Sequence, residues 1–580
     1  METLLAAFQR EVVLAVQSAY SLTVDDAEIS PCAQEEFGHY QCNIALGLSK
    51  VLKISPRALA EKIVSHLSPT IKNHCSKIEI AGPGFINFTL TPSYLSSQLG
   101  LQLADKKLGS AVPSKKQKII VEFSSPNVAK ELHVGHIRST IIGDCIARLF
   151  EFLGHDVLRL NHIGDWGTQF GMLITYMFES APDVLKGKTE TDLASLMSWY
   201  RAAKTRFDED LDFKKRSQLQ VVQLQAGDAE AIHAWKLICD VSRKGFAEIY
   251  RMLDAKLIER GESFYNPFLK DIVDEFEKKG LISLSDGAKC VFLEGFVNRE
   301  GEPLPLMIQK SDGGFNYDTT DLAALRHRIF EEKADRIIAV VDAGQSLHFQ
   351  MLFAAAKKIG WLDPSKVQAE HVAFGLVLGS DGKKFKTRSG ETEKLIDLLT
   401  GAIDKARAVL QERLPDASEQ EIATLSHIIG IDAVKYSDLS THRLKDYTFS
   451  YDKMLRFEGN TAIFLLYAYV RIRGIKRKTA ANMQELLSHA RIELHHPSEI
   501  SLGLHLRRFP ETLETFTHDL LPHRLCEYLY HLAEKFNAFF RDCRVDGSPE
   551  ENSRLLLCEL TSRVLHQGLE ILGLKTVDRL

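Results

Sequence analysis

At 580 residues the chain is several times a typical domain of roughly 100–200 residues, so three or more domains are expected. Its 45% hydrophobic and 26% charged content is ordinary for a soluble globular protein, and a net charge of −5 excludes a generally basic nucleic-acid coat while permitting a local basic surface. Nine cysteines with no Cys-x-x-Cys pair fit reduced thiols in a cytoplasm-like compartment, not a disulfide scaffold or a zinc ribbon. The opening METLLAAFQREVVLAVQ reads as an amphipathic helix carrying acids, not a signal or transit peptide. No run reaches the roughly 18 apolar residues of a membrane-spanning helix. Residues 1–112 read as a small α+β domain: helices over 2–19 and 56–66, then two strands within 77–90 joined by Gly-Pro-Gly. The polar, basic stretch 106–118 reads as a linker.

Residues 113–420 begin with a βαβ unit. Lys118 to Phe123 is apolar enough for a buried parallel strand, and Pro126 ends it. Ile137, Ile141, Cys145, Leu149 and Phe152 follow at helical spacing, and Gly154 supplies a C-cap. Val157 to Leu160 is a second strand. At the turn into the helix stand His133, Val134, Gly135 and His136. Free backbone N–H groups and the helix dipole suit anionic oxygen there, Gly135 permits close approach, and the imidazoles add donors for developing charge. Taken alone, the tetrapeptide is equally a chance loop sequence. No third ligand lies at a metal spacing, so no metal site is assigned.

From about 175 to 310 the pattern turns to long polar amphipathic helices, which read as an insertion in the nucleotide-binding fold. The α/β pattern resumes with a strand over 336–344, a helix over 346–361 and a strand over 371–379. A basic loop over 380–391 follows, then a helix from near Thr392. Two βαβ halves around an insertion predict a doubly wound parallel, Rossmann-type sheet with its crevice at the carboxyl strand ends. Lys383, Lys384, Lys386 and Arg388, in a Gly-bounded loop after a strand, suit a clamp on triphosphate; a basic surface loop is the plainer alternative. Tyr317 and Asp321, four apart, share a helical face and suit a planar cation, with Glu122 as a second carboxylate. Asn127 could add a polar contact, and Ser125 and Gln345, at strand ends, could bind polar groups of a ligand; for each of these residues alone an N-cap, turn or surface role is the commoner explanation. From Glu421 the chain reads as helical to Leu580, with stem helices over 421–455 and an all-α bundle over 456–580. Arg471, Arg473, Lys476, Arg477 and Lys478, with Tyr467 and Tyr469 upstream, suit phosphate contact and base stacking, though a solvated face at the end of a core helix explains any one of them equally well.

VEFSSPNVAKELHVGHIRSTIIGD followed by LNHIGDWGTQFGMLI resembles the HIGH region of class I aminoacyl-tRNA synthetases, specifically arginyl-tRNA synthetases. FGHYQCNIAL and AGPGFINF resemble that family's N-terminal domain, and the C-terminal part its anticodon-binding bundle. The resemblance implies ATP-dependent activation of L-arginine and transfer to tRNA, with Mg²⁺ accompanying ATP; the absence of a heptad seam makes a monomer the default, and the apolar runs and cysteines point to no membrane and a cytoplasmic location. It implies arginine binding by Glu122, Ser125, Asn127, His133, Tyr317, Asp321 and Gln345. ATP would be held by His133, Gly135, His136, Lys384, Lys386, Thr387 and Arg388. Phe385 to Ser389 stands where the family carries Lys-Met-Ser-Lys-Ser. Both pattern lysines are replaced, the second by Arg388, and Lys130 occupies the position thought to compensate. Catalytic roles fall on His133, His136, Lys130, Lys386 and Arg388.

Overall fold

A computed structural model describes residues 1–379, 381–383, 394–479 and 482–580. Two units emerge, residues 115–455 and residues 1–114 with 456–580.

The first unit is built on a five-stranded, wholly parallel sheet. Its strands lie in the order Gln368–His371, Arg336–Ala339, Lys118–Glu122, Asp156–Asn161, Ile258–Glu259. The chain thus starts in the middle and winds outward both ways. The switch point falls between Lys118–Glu122 and Arg336–Ala339, where Glu122 and Ala339 are register partners. Ile119, Ile120, Val121 and Ile338 are fully buried, as central parallel strands require. The helix Val134–Leu153 begins at Val134, ahead of its first periodic residue, because His133 caps it. Gly154 closes it with φ +101°. Gly143 lets this helix seat on the strand end: a Cβ there would lie 2.3 Å from Phe123 Cβ.

Three expectations need correction. The apolar run 371–379 is not one strand. Gln368–His371 joins the sheet, whereas Val377–Leu378 pairs with Tyr447–Thr448. Gly375 divides them, donating its N–H to Arg443 O where a Cβ would lie 2.6 Å from Asp446 Oδ1. The insertion is not helical throughout. After Leu193–Glu209, Leu211–Ala226 and Ala229–Met252 it ends in an antiparallel sheet of Ser283–Ser285, Ala288–Val297 and Pro303–Gln309. The last two strands bury alternate apolar residues such as Val291 and Ile308. The chain beyond Glu421 is also interrupted, since Tyr447–Thr448 is extended.

In the second unit, a four-stranded antiparallel sheet (Ile29–Pro31, Tyr40–Cys42, Phe85–Leu90, Cys75–Ala81) packs with helices Leu4–Tyr20, Ile44–Leu52 and Pro56–His66. It joins the terminal helices through buried polar contacts. Tyr40 Oη donates to Glu511 Oε1 at 2.8 Å, and Gln102 Nε2 to Leu506 O at 2.9 Å. No helix among the described residues is long and apolar enough to cross a membrane.

Candidate active site

The carboxyl end of Lys118–Glu122 runs through a loop into the histidine turn. The Gly135 N–H donates to His133 Nδ1 at 3.0 Å, and the His133 N–H donates to His136 Nδ1 at 3.1 Å. Both rings therefore accept at Nδ1, which leaves Nε2 as the donor of each. The rings lie 4.0 Å apart. Burial, with the charges of His133 and Lys130, pushes the His136 imidazole down to about 3. His136 at neutral pH is an uncharged donor beside the positive end of a 20-residue helix. A Cβ at Gly135 would lie 2.8 Å from His133 Cε1, so a larger residue would displace that ring.

A second group of polar side chains stands on the helix Tyr317–Phe330. Asn316 caps it, accepting from Thr319 N–H and donating to Asp318 Oδ2. Asp321, one turn in, lies in a charged network. His348 Nε2 is 2.7 Å from Asp321 Oδ2, and His348 Nδ1 is 3.1 Å from Asp318 Oδ1. Burial pushes the His348 imidazole down, but its hydrogen bonds to Asp318 and Asp321 outweigh this and raise it to about 9. Burial pushes the Asp321 carboxyl up; the His348 hydrogen bond and the charges of His162, His348 and Arg328 overcome it and hold the group below its usual range. Tyr317 is 62% exposed, with its ring 5.2 Å from that of His348.

Glu122 is 7% exposed and pairs with Arg328 Nη1 at 2.5 Å, while Arg328 Nη2 lies 3.3 Å from His162 Nδ1. Its carboxylate already faces a guanidinium of the chain itself. Sequence reasoning missed a different acid, Glu262. Burial, then the charges of Asp321 and Asp165, raise its carboxyl to about 8. Its position is tightly set. Asp165 accepts from Ser263 N and Ser263 Oγ at 2.8 and 2.6 Å, and a Cβ on Gly261 would lie 2.4 Å from the Asp165 carboxylate. No periodicity or motif marks Glu262; only the fold brings it to Asp321. His348, His162 and Arg328 were missed for the same reason.

The loop supplies the rest. Ser125 N donates to Asn161 Oδ1 at 3.0 Å, while Ser125 Oγ is buried with no partner among the described residues. Asn127 is exposed and bridges to Gly164, whose missing side chain accommodates Asn127 Oδ1. Gln345 is exposed and ends the single turn Ala343–Gln345 beyond Arg336–Ala339. Lys130 is exposed, its Nζ 5.9 Å from the Tyr200 ring centroid. Lys384, Lys386, Thr387 and Arg388 lie outside the described residues. The segment just after them is fastened to the histidine turn. Lys394 bridges to His133, Leu395 N donates to Leu132 O at 3.0 Å, and Lys394 Nζ pairs with Glu131 at 2.8 Å.

The basic cluster in Ala462–Thr479 is mostly engaged internally. Lys476 pairs with Glu559, Arg473 with Asp578 at 3.1 Å and Lys478 with Asp546 at 2.8 Å. Arg471 donates to Asn537 Oδ1, its guanidinium 4.8 Å from the Tyr467 ring and 5.1 Å from the Phe540 ring. Both rings are about 40% exposed.

Residues 98–451 match the family model for the catalytic domain of class I tRNA synthetases (R), residues 465–580 the DALR anticodon binding domain, and residues 4–90 the arginyl tRNA synthetase N terminal domain. The arginine–tRNA ligase of Protochlamydia amoebophila is 62% identical over 553 residues, covering 95% of this chain and 94% of its own. That of Trichodesmium erythraeum is 51% identical over 586 residues, covering 100% and 99%. The crystal structure of arginyl-tRNA synthetase from Plasmodium falciparum superposes with a TM-score of 0.88 at 34% identity, covering both chains completely. The Thermus thermophilus arginyl-tRNA synthetase shares the fold at 24% identity, with a TM-score of 0.80.

Proposed function

The chain belongs to the class I arginyl-tRNA synthetase family and is an arginine–tRNA ligase, and we propose that its two half-reactions run in the crevice between the histidine turn and the acidic wall of the Tyr317–Phe330 helix. In the first, a carboxylate oxygen of L-arginine attacks the α-phosphorus of ATP. The bond to the β-phosphate breaks, giving arginyl-adenylate and pyrophosphate. In the second, a hydroxyl of the terminal ribose of tRNA attacks the adenylate carbonyl carbon. AMP leaves and the hydroxyl proton passes to solvent. No protein nucleophile takes part.

Residue roles follow from chemistry. His133 and His136, as Nε2–H donors at a helix N-terminus, and the Gly135 backbone hold phosphate oxygens as charge develops, an effect worth about 10²–10³ in rate per donor. Lys130, Lys384, Lys386, Thr387 and Arg388 meet the departing pyrophosphate. Asp321 and Glu262 face the substrate guanidinium, with Tyr317 beside it. Ser125, Asn127, His133 and Gln345 receive the α-amino and carboxylate groups. Glu122 shapes the pocket through Arg328 and presents its remaining oxygen. A partly buried acidic slot rejects a neutral side chain, which would leave the carboxylates unpaired. Among the described residues no group of three or more His, Cys, Asp or Glu side chains is arranged to hold a metal. Mg²⁺ accompanies ATP, held by phosphate oxygens and water. The 1–112 domain and the 456–580 bundle bind tRNA, with the Arg471–Tyr467–Phe540 cluster suited to stacking a base. The chain acts as a cytoplasmic monomer.

The observation that supports this reading is Asp321 on the Tyr317–Phe330 helix, held with Asp318 by His348 and 3.7 Å from His162, which follows the carboxyl end of a strand in a nucleotide-binding sheet. Pyrophosphate exchange with each amino acid, with and without tRNA, tests it. Exchange with arginine is expected; exchange with lysine or glutamine instead contradicts it.

A further inference from the structure

The loop between the first strand and the histidine turn is strained. Ser124, Ser125 and Ala129 have φ of +73°, +46° and +60°, a region that residues with side chains occupy only when their surroundings enforce it. Much of the enforcement comes from one helix of the insertion, Ala229–Met252. Tyr250 Oη shares a hydrogen bond with Ser124 Oγ at 2.8 Å and accepts from Asn161 Nδ2 at 3.1 Å. Asn161 Oδ1 in turn accepts from Ser125 N at 3.0 Å, so one phenol fixes two successive strained residues. Two turns earlier, Ser242 Oγ accepts from Ala129 N at 3.0 Å while donating to Ile238 O. Further back, Trp235 Nε1 donates to Asp165 O at 2.7 Å. Asp165 is the carboxylate that pins Ser263 beside Glu262. The same helix thus holds the Ser125 loop and the base of the Glu262 segment in register. Ser125 Oγ, buried and without a partner among the described residues, is what that geometry presents to a ligand.

We propose that the Ala229–Met252 helix is the positioning element of the amino-acid pocket, with Tyr250 its principal positioning residue and Ser242 and Trp235 its further anchors. The inference rests on the assignment of Ser125 to arginine binding made above. Tyr250 touches no substrate. It acts by holding Ser124 and, through Asn161, Ser125 where the arginine α-groups meet them, so its hydroxyl affects arginine and not ATP. Burial raises the phenol to about 12, and it stays a neutral hydrogen-bonding group throughout the working pH range.

Tyr250→Phe removes the hydroxyl and keeps the ring. Steady-state aminoacylation by the full chain, with tRNA present, should show the KM for arginine raised about threefold to tenfold, the consequence of losing one buried hydrogen bond, with the KM for ATP unchanged. Ser125→Ala should raise the arginine KM in the parent chain but add little in the Tyr250→Phe background, because a misplaced hydroxyl has already lost its contact. Ser242→Ala is the second variant and should repeat the selective effect from the other anchor, even if Tyr250→Phe fails to fold. The proposal is overturned if Ser125→Ala raises the arginine KM while Tyr250→Phe and Ser242→Ala lower only the melting temperature, or if both KM values rise together. If Ser125→Ala also has no effect, the assignment of Ser125 fails and the inference falls with it.

Discussion

Arginine binding should be coupled to deprotonation of Glu262. In the free pocket burial and the neighbouring charges of Asp321 and Asp165 raise this carboxyl to about 8, so it is mostly protonated at neutral pH. A guanidinium favours the ionised form, and protonation therefore competes with the ligand at every pH below about 8. Raising the pH removes that competition, and affinity rises. With a pKa of about 8, roughly 1% of the acid is ionised at pH 6 and about 10% at pH 7, so apparent affinity should fall about 100-fold and about tenfold below its plateau. The rise levels off near pH 9, where His348, itself at about 9, has lost about half of the protonation that supports Asp321. Calorimetric titration of arginine in buffers of different ionisation enthalpy reads this directly, with about 0.9 proton released per arginine at pH 7. Glu262→Gln should bind weakly and without the slope. A flat affinity profile in the parent chain, or an unchanged slope in Glu262→Gln, refutes the reasoning.

Other substitutions probe other parts of the account. Asp321→Asn should weaken arginine binding by roughly 2–5 kcal/mol, as for one partner of a desolvated charge pair, with ATP binding little changed in a filter or fluorescence assay. His133→Ala should lower the rate of pyrophosphate exchange about 10²–10³-fold with a modest change in arginine KM; an equal loss in KM alone would place the ring in ground-state binding. Asp438→Ala should cost about 3–5 kcal/mol in urea unfolding, because Arg138, buried like its partner and 3.1 Å from it, is left uncompensated. The double change Arg138→Met with Asp438→Leu should recover most of that loss.

The nucleotide-binding half is legible in the sequence because it depends on local signals. An apolar run, a proline break, helical spacing from Ile137 and the stop at Gly154 lie within one βαβ unit, and the histidine turn sits between them. The strand over 371–379 misleads because hydrophobicity reports burial and not partners. Only the approach of Asp446 to Gly375 shows that the run divides between two sheets. The insertion's closing strands were hidden behind the polar helices before them, though Ala288–Val297 buries residues in a partly alternating pattern. The acidic pocket is half legible. Tyr317 and Asp321 share a helical face, a local relation. Glu262 gains its meaning only from Asp321 and Asp165, and Glu122 is matched to Arg328, 206 residues away. Charge pairing at such separation leaves no mark in spacing.

The central claim is that an acidic slot for a guanidinium adjoins a histidine cradle for triphosphate. The most direct test is a crystal structure with L-arginine and a non-hydrolysable ATP analogue. The guanidinium should lie between Asp321 and Glu262, with the α-carboxylate directed toward the phosphates held at His133 and His136. A guanidinium bound away from both acids, or phosphates away from the histidine turn, would contradict it.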